Sequence, residues 1–175
     1  LLSRIEVDGK HIYTLTGDAQ PMTPEGQHEM AIAVLEMFSG GEIMVLAGMS
    51  ASAERKEVFS ITSCASYRIE LESRGVDVRR SEPEAGVIGL AALITALGPL
   101  KNVKTSCTIA TTLGNSVDPV AAQLLLETIR KWWDLPLPVP IDATERLAQK
   151  VRNMQTGNQK DLISELSESP DSLYM

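Results

Sequence analysis

Hydrophobic and polar residues follow two different periods along this chain, and the period changes several times. A two-residue period is typical of a half-buried strand, and a period of about 3.6 residues is typical of an amphipathic helix. Residues 4–7 and 11–16 alternate in polarity on either side of Asp8 and Gly9. We therefore predict a hairpin of two short strands joined by an Asp-Gly turn.

A helix and a second type of strand are predicted next. Thr23 supplies a side-chain oxygen that can cap a helix, and Pro24 suits the first helical position. Apolar residues then recur at helical spacing until Gly40 interrupts the pattern. Residues 42–47 are a mostly apolar run of strand length, which is typical of a buried parallel strand. This passage indicates a strand-helix-strand order.

The alternation continues through the middle of the chain. The predicted segments are a strand over 58–62, a helix from a Ser63 cap to Arg74, a buried helix over 86–97 and a strand over 105–111. The segment 86–97 is nearly all apolar, so we expect a helix that packs tightly through Gly86 and Gly89. Such alternation predicts an α/β fold built on one layered, mostly parallel sheet.

Two capped helices complete the predicted body of the protein. Asp118 can cap a helix in which Pro119 takes the first position. Near its end, Trp132 and Trp133 point about 100° apart, so we expect only one of them to face the core. The last helix begins at Asp142 in a D-x-x-E capping box.

The pattern fades from Thr156 onward. Residues 161–175 contain four acidic residues and no basic one, with little apolar surface. Such a composition does not offset the conformational entropy that is lost on ordering. We expect an α/β domain over residues 1–155 and a flexible acidic tail over residues 156–175.

Composition and charge disfavour several classes of function. The 175-residue chain has a net charge of −7 and no basic cluster, which disfavours nucleic-acid binding. No apolar run approaches the roughly 20 residues of a membrane helix, and no signal-peptide pattern is present, so we expect a cytoplasmic protein without membrane association. Cys64, Cys107, His11 and His28 lack the spacing of metal ligands, so neither a zinc site nor a cofactor is predicted.

The last three residues, Leu173, Tyr174 and Met175, carry the most specific chemistry in the sequence. They place an aliphatic side chain, a phenol and a terminal carboxylate in a row, which a pocket with a lysine can bind. The tripeptide resembles the C-terminal motif that proteasome-binding proteins insert between the α subunits of the proteasome core particle. The alternative is an accidental tyrosine, since an aliphatic residue before a penultimate tyrosine occurs in roughly one chain in a hundred.

Two internal segments are also distinctive. One is the glycine-led apolar run GVIGLAALI at 86–94, and the other is the Asp-Pro-x-Ala-Ala sequence at 118–122 with the leucine-rich helix that follows. Both resemble the proteasome assembly chaperone family. The loop at 17–21 is similar to archaeal members, so the resemblance covers most of residues 11–155.

This resemblance implies a fold and a function. It implies a three-layer α/β/α sandwich of the phosphorylase/hydrolase-like type and a non-catalytic protein, either an assembly chaperone or an activator. It also implies a homo-oligomer that docks Leu173, Tyr174 and Met175 into pockets between the core-particle α subunits. Family members usually have a further N-terminal strand-helix portion, which has no counterpart in this sequence.

An enzyme is the alternative interpretation, because sandwiches of this type can hold a small molecule at the carboxyl edge of the sheet. The candidate residues in the loops there are Asp18, Thr111, Thr112 and Asp118. The serines lack the G-x-S-x-G setting of a nucleophile, and the sequence offers Asp118 no acidic or histidine partner. No catalytic residue is therefore predicted.

Overall fold

The computed structural model describes residues 1–7, 9–52, 54–84, 86–114 and 118–135. Its elements, in chain order, are β1 (Leu2–Val7), β2 (Lys10–Leu15), α1 (Pro24–Met37), β3 (Glu42–Ser50), β4 (Val58–Ile61), α2 (Ala65–Ser73), α3 (Gly89–Leu97), β5 (Lys104–Thr112) and α4 (Pro119–Trp133). A 3-10 turn, Gly98–Lys101, joins α3 to β5. The helix predicted from Asp142 and the tail predicted over 156–175 lie outside the described residues.

β1 and β2 form the predicted hairpin as a separate antiparallel sheet, in which Leu2 lies opposite Leu15. Gly9 has a φ of +73°, the left-handed conformation that suits a tight connection between strands. Tyr13 connects the hairpin to the rest of the protein, since its ring centroid lies 5.9 Å from that of Phe38. The prediction for this segment is confirmed.

The second sheet has three strands in the order β3-β5-β4. β3 runs parallel to β5, with Glu42 opposite Lys104, as its apolar pattern predicted. β4 runs antiparallel to β5, with Phe59 opposite Ile109. The described sheet is therefore mixed, and the prediction of a mostly parallel sheet is wrong for this part of the chain. The reason is the short connection at 51–57, since a parallel crossover needs a dozen or more residues.

Helices contact both faces of this sheet. Ile43 and Val45 of β3 pack with buried side chains of α1 and α3. Glu42 is the residue next to Ile43 on the same strand, and its side chain instead bonds to Tyr67 of α2 and Trp133 of α4. Successive strand residues point to opposite faces, so α1 and α3 lie on one side and α2 and α4 contact the other. Between them, almost every residue of the central strand β5 is buried.

Three local predictions differ from the structure. Ser63 does not cap α2, because its hydroxyl donates to a carbonyl oxygen of α3 at 2.7 Å. The predicted helix over 86–97 begins at Gly89, and both Gly86 and Gly89 have positive φ. The prediction of tight packing is wrong for Gly86, where an added Cβ would meet no atom within 4 Å, but an added Cβ on Gly89 would lie 2.7 Å from Gln20 Oε1. The tightest approach occurs at Gly98, where an added Cβ would lie 2.2 Å from the Thr105 side chain.

The two tryptophans of α4 contact the same cluster, contrary to the prediction. Trp132 and Trp133 have ring centroids 6.1 Å apart, and both pack against the buried residues Tyr67, Leu71 and Val76. Indole side chains are long enough for consecutive residues to reach one cluster from different directions. The end of α4 is therefore packed against α2 through both rings.

Candidate functional site

The predicted docking residues Leu173, Tyr174 and Met175 lie outside the described residues. The last described segment is the end of α4, from which the chain continues towards them. Asp134 has a φ of +47° there, and the Leu135 N–H donates to the carbonyl oxygen of Arg130 at 3.0 Å, a hydrogen bond typical of a helix terminus.

Glu42 connects the end of α4 to the sheet. Its carboxylate accepts hydrogen bonds from the Tyr67 hydroxyl at 2.5 Å and from Trp133 Nε1, and it pairs with Arg74 at 3.2 Å. Burial and the hydrogen bond to Glu42 raise the pKa of Tyr67, so its hydroxyl remains a donor at neutral pH. Charge-assisted bonds of this type are stronger than neutral ones. The bonds of Glu42 therefore hold the end of α4 against β3 and α2.

The enzyme-type candidates Thr111 and Thr112 lie at the carboxyl end of β5. The Thr111 hydroxyl accepts the N–H of Glu57 at 2.9 Å and donates to the carbonyl oxygen of Arg55 at 2.7 Å. The Thr112 hydroxyl accepts the N–H of Gly114 at 3.1 Å. Both hydroxyls therefore bind the backbone of adjacent loops.

Asp118 is the helix cap that the sequence predicted. One carboxylate oxygen accepts the Ala121 N–H at 3.0 Å, and the other lies 3.3 Å from Nζ of Lys56. Burial by itself raises the pKa of Asp118, but the Ala121 N–H and the Lys56 ammonium stabilise the anion, and the net pKa is lowered. An ionised, capped carboxylate of this kind does not act as a proton donor at neutral pH.

Asp18 lies in the exposed loop between β2 and α1. In the described part of the chain, no hydrogen bond or ion pair joins Asp18 to Thr111, Thr112 or Asp118. The side chain of Gln20 in the same loop accepts a hydrogen bond from the Leu90 N–H at 3.1 Å. The loop therefore binds a backbone N–H in the first turn of α3. The enzyme-type candidates therefore form no single hydrogen-bonded constellation.

A cluster of ion pairs that the sequence did not predict lies near the carboxyl end of β5, where Thr111 bonds to Arg55 and Glu57. Arg55 bonds to Glu57 at 3.1 Å and to Glu82 at 2.6 Å, and Arg79 bonds to the same two carboxylates at 2.7 Å and 2.6 Å. The Arg79 guanidinium also lies 4.4 Å from the centroid of the Phe59 ring. We call these four charged residues the arginine–glutamate cluster. It ties the loop after β3 to the segment before α3, and its charges are mutually satisfied.

The described residues hold no group of three or more His, Cys, Asp or Glu side chains that could bind a metal ion. Among the same residues, no helix is long and apolar enough to cross a membrane. Burial raises the pKa of the Cys107 thiol to about 11, whereas the Ser66 hydroxyl lowers the pKa of the partly exposed Cys64. The two cysteines are both free thiols.

The family model for the PAC2 family matches residues 2–161. The chain therefore belongs to the PAC2 family. A relative, an uncharacterized protein of Methanocaldococcus jannaschii, is 21% identical over 149 residues, which cover 83% of this chain and 56% of that protein. The chain thus spans little more than half the length of this relative.

Solved structures with a similar fold carry more specific descriptions. Pyrococcus furiosus PbaA, an archaeal homolog of proteasome-assembly chaperone, has a TM-score of 0.69 at 18% identity, covering 95% of this chain and 76% of PbaA. Pyrococcus furiosus PbaB, an archaeal proteasome activator, has a TM-score of 0.68 at 23% identity, covering 86% of this chain and 66% of PbaB.

A PAC2 family protein from Streptomyces avermitilis is similar over 95% of this chain and 78% of its own, with a TM-score of 0.55 at 16% identity. The mixed α/β fold is common to these structures. The resemblance to the proteasome assembly chaperone family is confirmed at the level of the family.

Proposed function

We propose that this chain is a non-catalytic proteasome-binding protein, either an assembly chaperone or an activator. It docks Leu173, Tyr174 and Met175 into pockets between the α subunits of the proteasome core particle. The observation that carries this proposal is the occurrence, in one PAC2 family chain, of a terminal hydrophobic-tyrosine-X tripeptide. The similarity in fold to PbaA and PbaB supports it.

In this proposal the domain over residues 1–155 is a three-layer α/β/α sandwich of the phosphorylase/hydrolase-like type. The contacts of helices with both faces of the β3-β5-β4 sheet support the three-layer arrangement. The flexible acidic tail over residues 156–175 carries the tripeptide away from the domain. The protein works in the cytoplasm, as a homo-oligomer.

Each residue of the tripeptide has a distinct role. Leu173 buries aliphatic area, Tyr174 packs its ring and donates a hydrogen bond, and the Met175 carboxylate pairs with a cation in the pocket. Burying the first two side chains contributes about 3 to 5 kcal/mol before the loss of entropy, so one tail binds weakly. Several tails on one oligomer raise the avidity by about 10² to 10⁴.

The proposal is tested by binding of purified core particle to variants of the tripeptide. We expect Tyr174→Ala, and separately deletion of Met175, to abolish binding while the far-UV circular dichroism of the domain stays unchanged. Ser172→Ala is the matched control, because it changes the preceding residue and should bind as the wild type does. Full-strength binding by either tripeptide variant would refute the docking mechanism.

The enzyme alternative is tested in a separate experiment. The engagement of Thr111 and Thr112 with loop backbone, and of Asp118 with a helix N-terminus, supports the non-catalytic interpretation. A ligand that binds the folded state raises the melting temperature. We expect core particle, and not phosphate, a nucleoside or a nucleotide, to stabilise the protein. A rise in melting temperature with any of these small molecules would favour the enzyme.

A further inference from the structure

The segment around α3 is unusually apolar for a helix that water can reach. From Gly86 to Leu100 it has no charged side chain, and its one polar side chain, Thr95, is buried. A helix that is apolar on all sides is ordinarily buried on all sides. In this structure, however, Ile88 is 83% exposed and Leu100 is 78% exposed.

Four apolar residues lie along and beside α3. Ala92 and Ala96 lie one turn apart on α3, the spacing that keeps two side chains on one face of a helix, whereas Ile88 lies in extended backbone just before α3 and Leu100 lies in the 3-10 turn after it. Ile88, Ala96 and Leu100 are exposed, and Ala92 is half-buried. We call these four residues the α3 surface. Other residues of α3, including Leu93 and Leu97, pack against the core with α1, so α1 and the sheet cover the opposite side.

We propose that the α3 surface is a self-association site, on which α3 of a second copy packs antiparallel about a two-fold axis near Ile94. This inference rests on the proposed function, because it supplies the oligomer that presents several tails. In this arrangement Ile88 lies opposite Leu100 of the partner subunit. Ala92 lies opposite Ala96 of the partner subunit, and these small side chains allow the two helices to approach closely.

The charges that flank α3 favour a second copy as the occupant, and they favour the antiparallel orientation. Glu84 precedes the segment, is exposed, and forms no ion pair with another described residue. Lys101 follows the segment; its Nζ pairs with Glu36 Oε1 at 3.1 Å, and both side chains of this surface pair remain open to solvent, with Lys101 39% exposed. An antiparallel pair brings Glu84 towards Lys101 of the partner subunit at both ends of the interface. A parallel pair would bring like charges together, which is unfavourable.

The experiment measures the oligomeric state of the full chain by sedimentation velocity and native mass spectrometry. We expect Ala96→Glu to shift the protein to monomers, because it places a charge at the centre of the interface. A concentration series on Glu84→Lys should show a dissociation constant at least about tenfold higher, since two attractive contacts become repulsive. The double variant Glu84→Lys/Lys101→Glu should restore association, because it reverses both partners of each pair.

Glu72→Lys is the control, since it makes the same change of charge on the exposed face of α2 and should leave association unchanged. Thermal melts of every variant separate loss of association from loss of folding. A monomeric wild type, or an unchanged mass for Ala96→Glu, would overturn the inference. So would a double variant that associates no better than Glu84→Lys.

Binding to the core particle distinguishes this inference from the docking mechanism. If tail docking fails, Tyr174→Ala changes nothing in core-particle binding, whatever the oligomeric state. If only the inference fails, Ala96→Glu keeps the wild-type mass while Tyr174→Ala still loses binding. An Ala96→Glu protein that keeps its mass but no longer binds core particle would assign the α3 surface to the core particle and overturn self-association.

Discussion

A single backbone position, Gly98, sets how closely α3 approaches the central strand. Its φ is −49°, so any residue could adopt the backbone conformation, but an added Cβ would lie 2.2 Å from Thr105. The Thr105 side chain is fully buried and its hydroxyl donates to the carbonyl oxygen of Thr95 at 3.0 Å. The glycine is therefore required by space and not by backbone conformation.

We predict that Gly98→Ala destabilises the protein by about 1 to 3 kcal/mol, because the new methyl group must displace Thr105 and its hydrogen bond. The free energy of unfolding from urea titration measures this effect. Gly17→Ala is the matched control, since its added Cβ would meet only the Ala19 carbonyl oxygen at 3.6 Å. Equal stability of the two variants would contradict the steric argument.

At the scale of elements, most strands and helices could be predicted, because the patterns that define them are local. Thr23 caps α1 and Asp118 caps α4 as their sequences indicate, since each cap is set by residues within one turn. The direction of β4 was missed because strand pairing depends on the path of the loop before it. The arginine–glutamate cluster was missed because its ion pairs join residues up to 27 positions apart.

Separation along the sequence also explains which contacts of the candidate site could be predicted. The cap at Asp118 could be predicted from its neighbours, whereas its pairing with Lys56, 62 residues earlier, could not. Likewise, sequence indicated that Thr111 lies at the end of a strand but not that its hydroxyl holds the loop at Arg55 and Glu57. The tripeptide at 173–175 is contiguous, so the sequence alone could suggest it, and its docking role stays a prediction.

The arginine–glutamate cluster predicts a dependence of stability on pH. Hydrogen bonds from Arg55 and Arg79 lower the pKa of Glu57, and those from Arg79 and Arg55 lower the pKa of Glu82. A lowered folded-state pKa contributes stability that is present above the ordinary carboxyl pKa and is lost as pH falls through the folded value. We therefore expect the free energy of unfolding to fall as the pH is lowered from neutrality to below the ordinary glutamate pKa of about 4.3.

The check is a series of urea titrations across this range. The variant Glu57→Gln/Glu82→Gln should be less stable at neutral pH and should lose less stability on acidification, because it lacks the two titrating groups. Glu72→Gln serves as the control, since this α2 residue lies outside the cluster. An identical pH dependence for the double variant and the wild type would rule out the cluster as the cause.

At the scale of the whole molecule, the proposed function separates a folded body from the segment that binds. The net charge of −7 makes a polyanionic partner unfavourable, and in the proposed function recognition depends instead on a short terminal motif and on the number of copies of it. Individually weak contacts become effective when they are linked, since later contacts form at high effective concentration. Affinity for the core particle should therefore depend steeply on the number of tails.

We predict that assemblies mixed from wild-type chains and chains lacking residues 173–175 bind core particle progressively more weakly. An assembly with one remaining tail should lose about 10² to 10⁴ in apparent affinity relative to the full assembly. Surface-immobilised core particle and mixtures of defined ratio measure the effect. Mixtures with full-length Ser172→Ala chains control for exchange of subunits. A loss of affinity only proportional to the number of tails would exclude avidity.

The buried thiol of Cys107 allows exposure of the central strand β5 to be detected chemically. Cys107 is 0% exposed and is protonated at neutral pH because burial raises its pKa to about 11, so alkylating reagents should modify it only when β5 is uncovered. Cys64 is partly exposed and should react first. Pulsed alkylation followed by intact-mass measurement would then count native molecules as singly labelled and opened molecules as doubly labelled. Any partner that binds only the folded domain should slow the alkylation of Cys107. The rate of this second alkylation would then report the fraction of the protein that is bound to the partner.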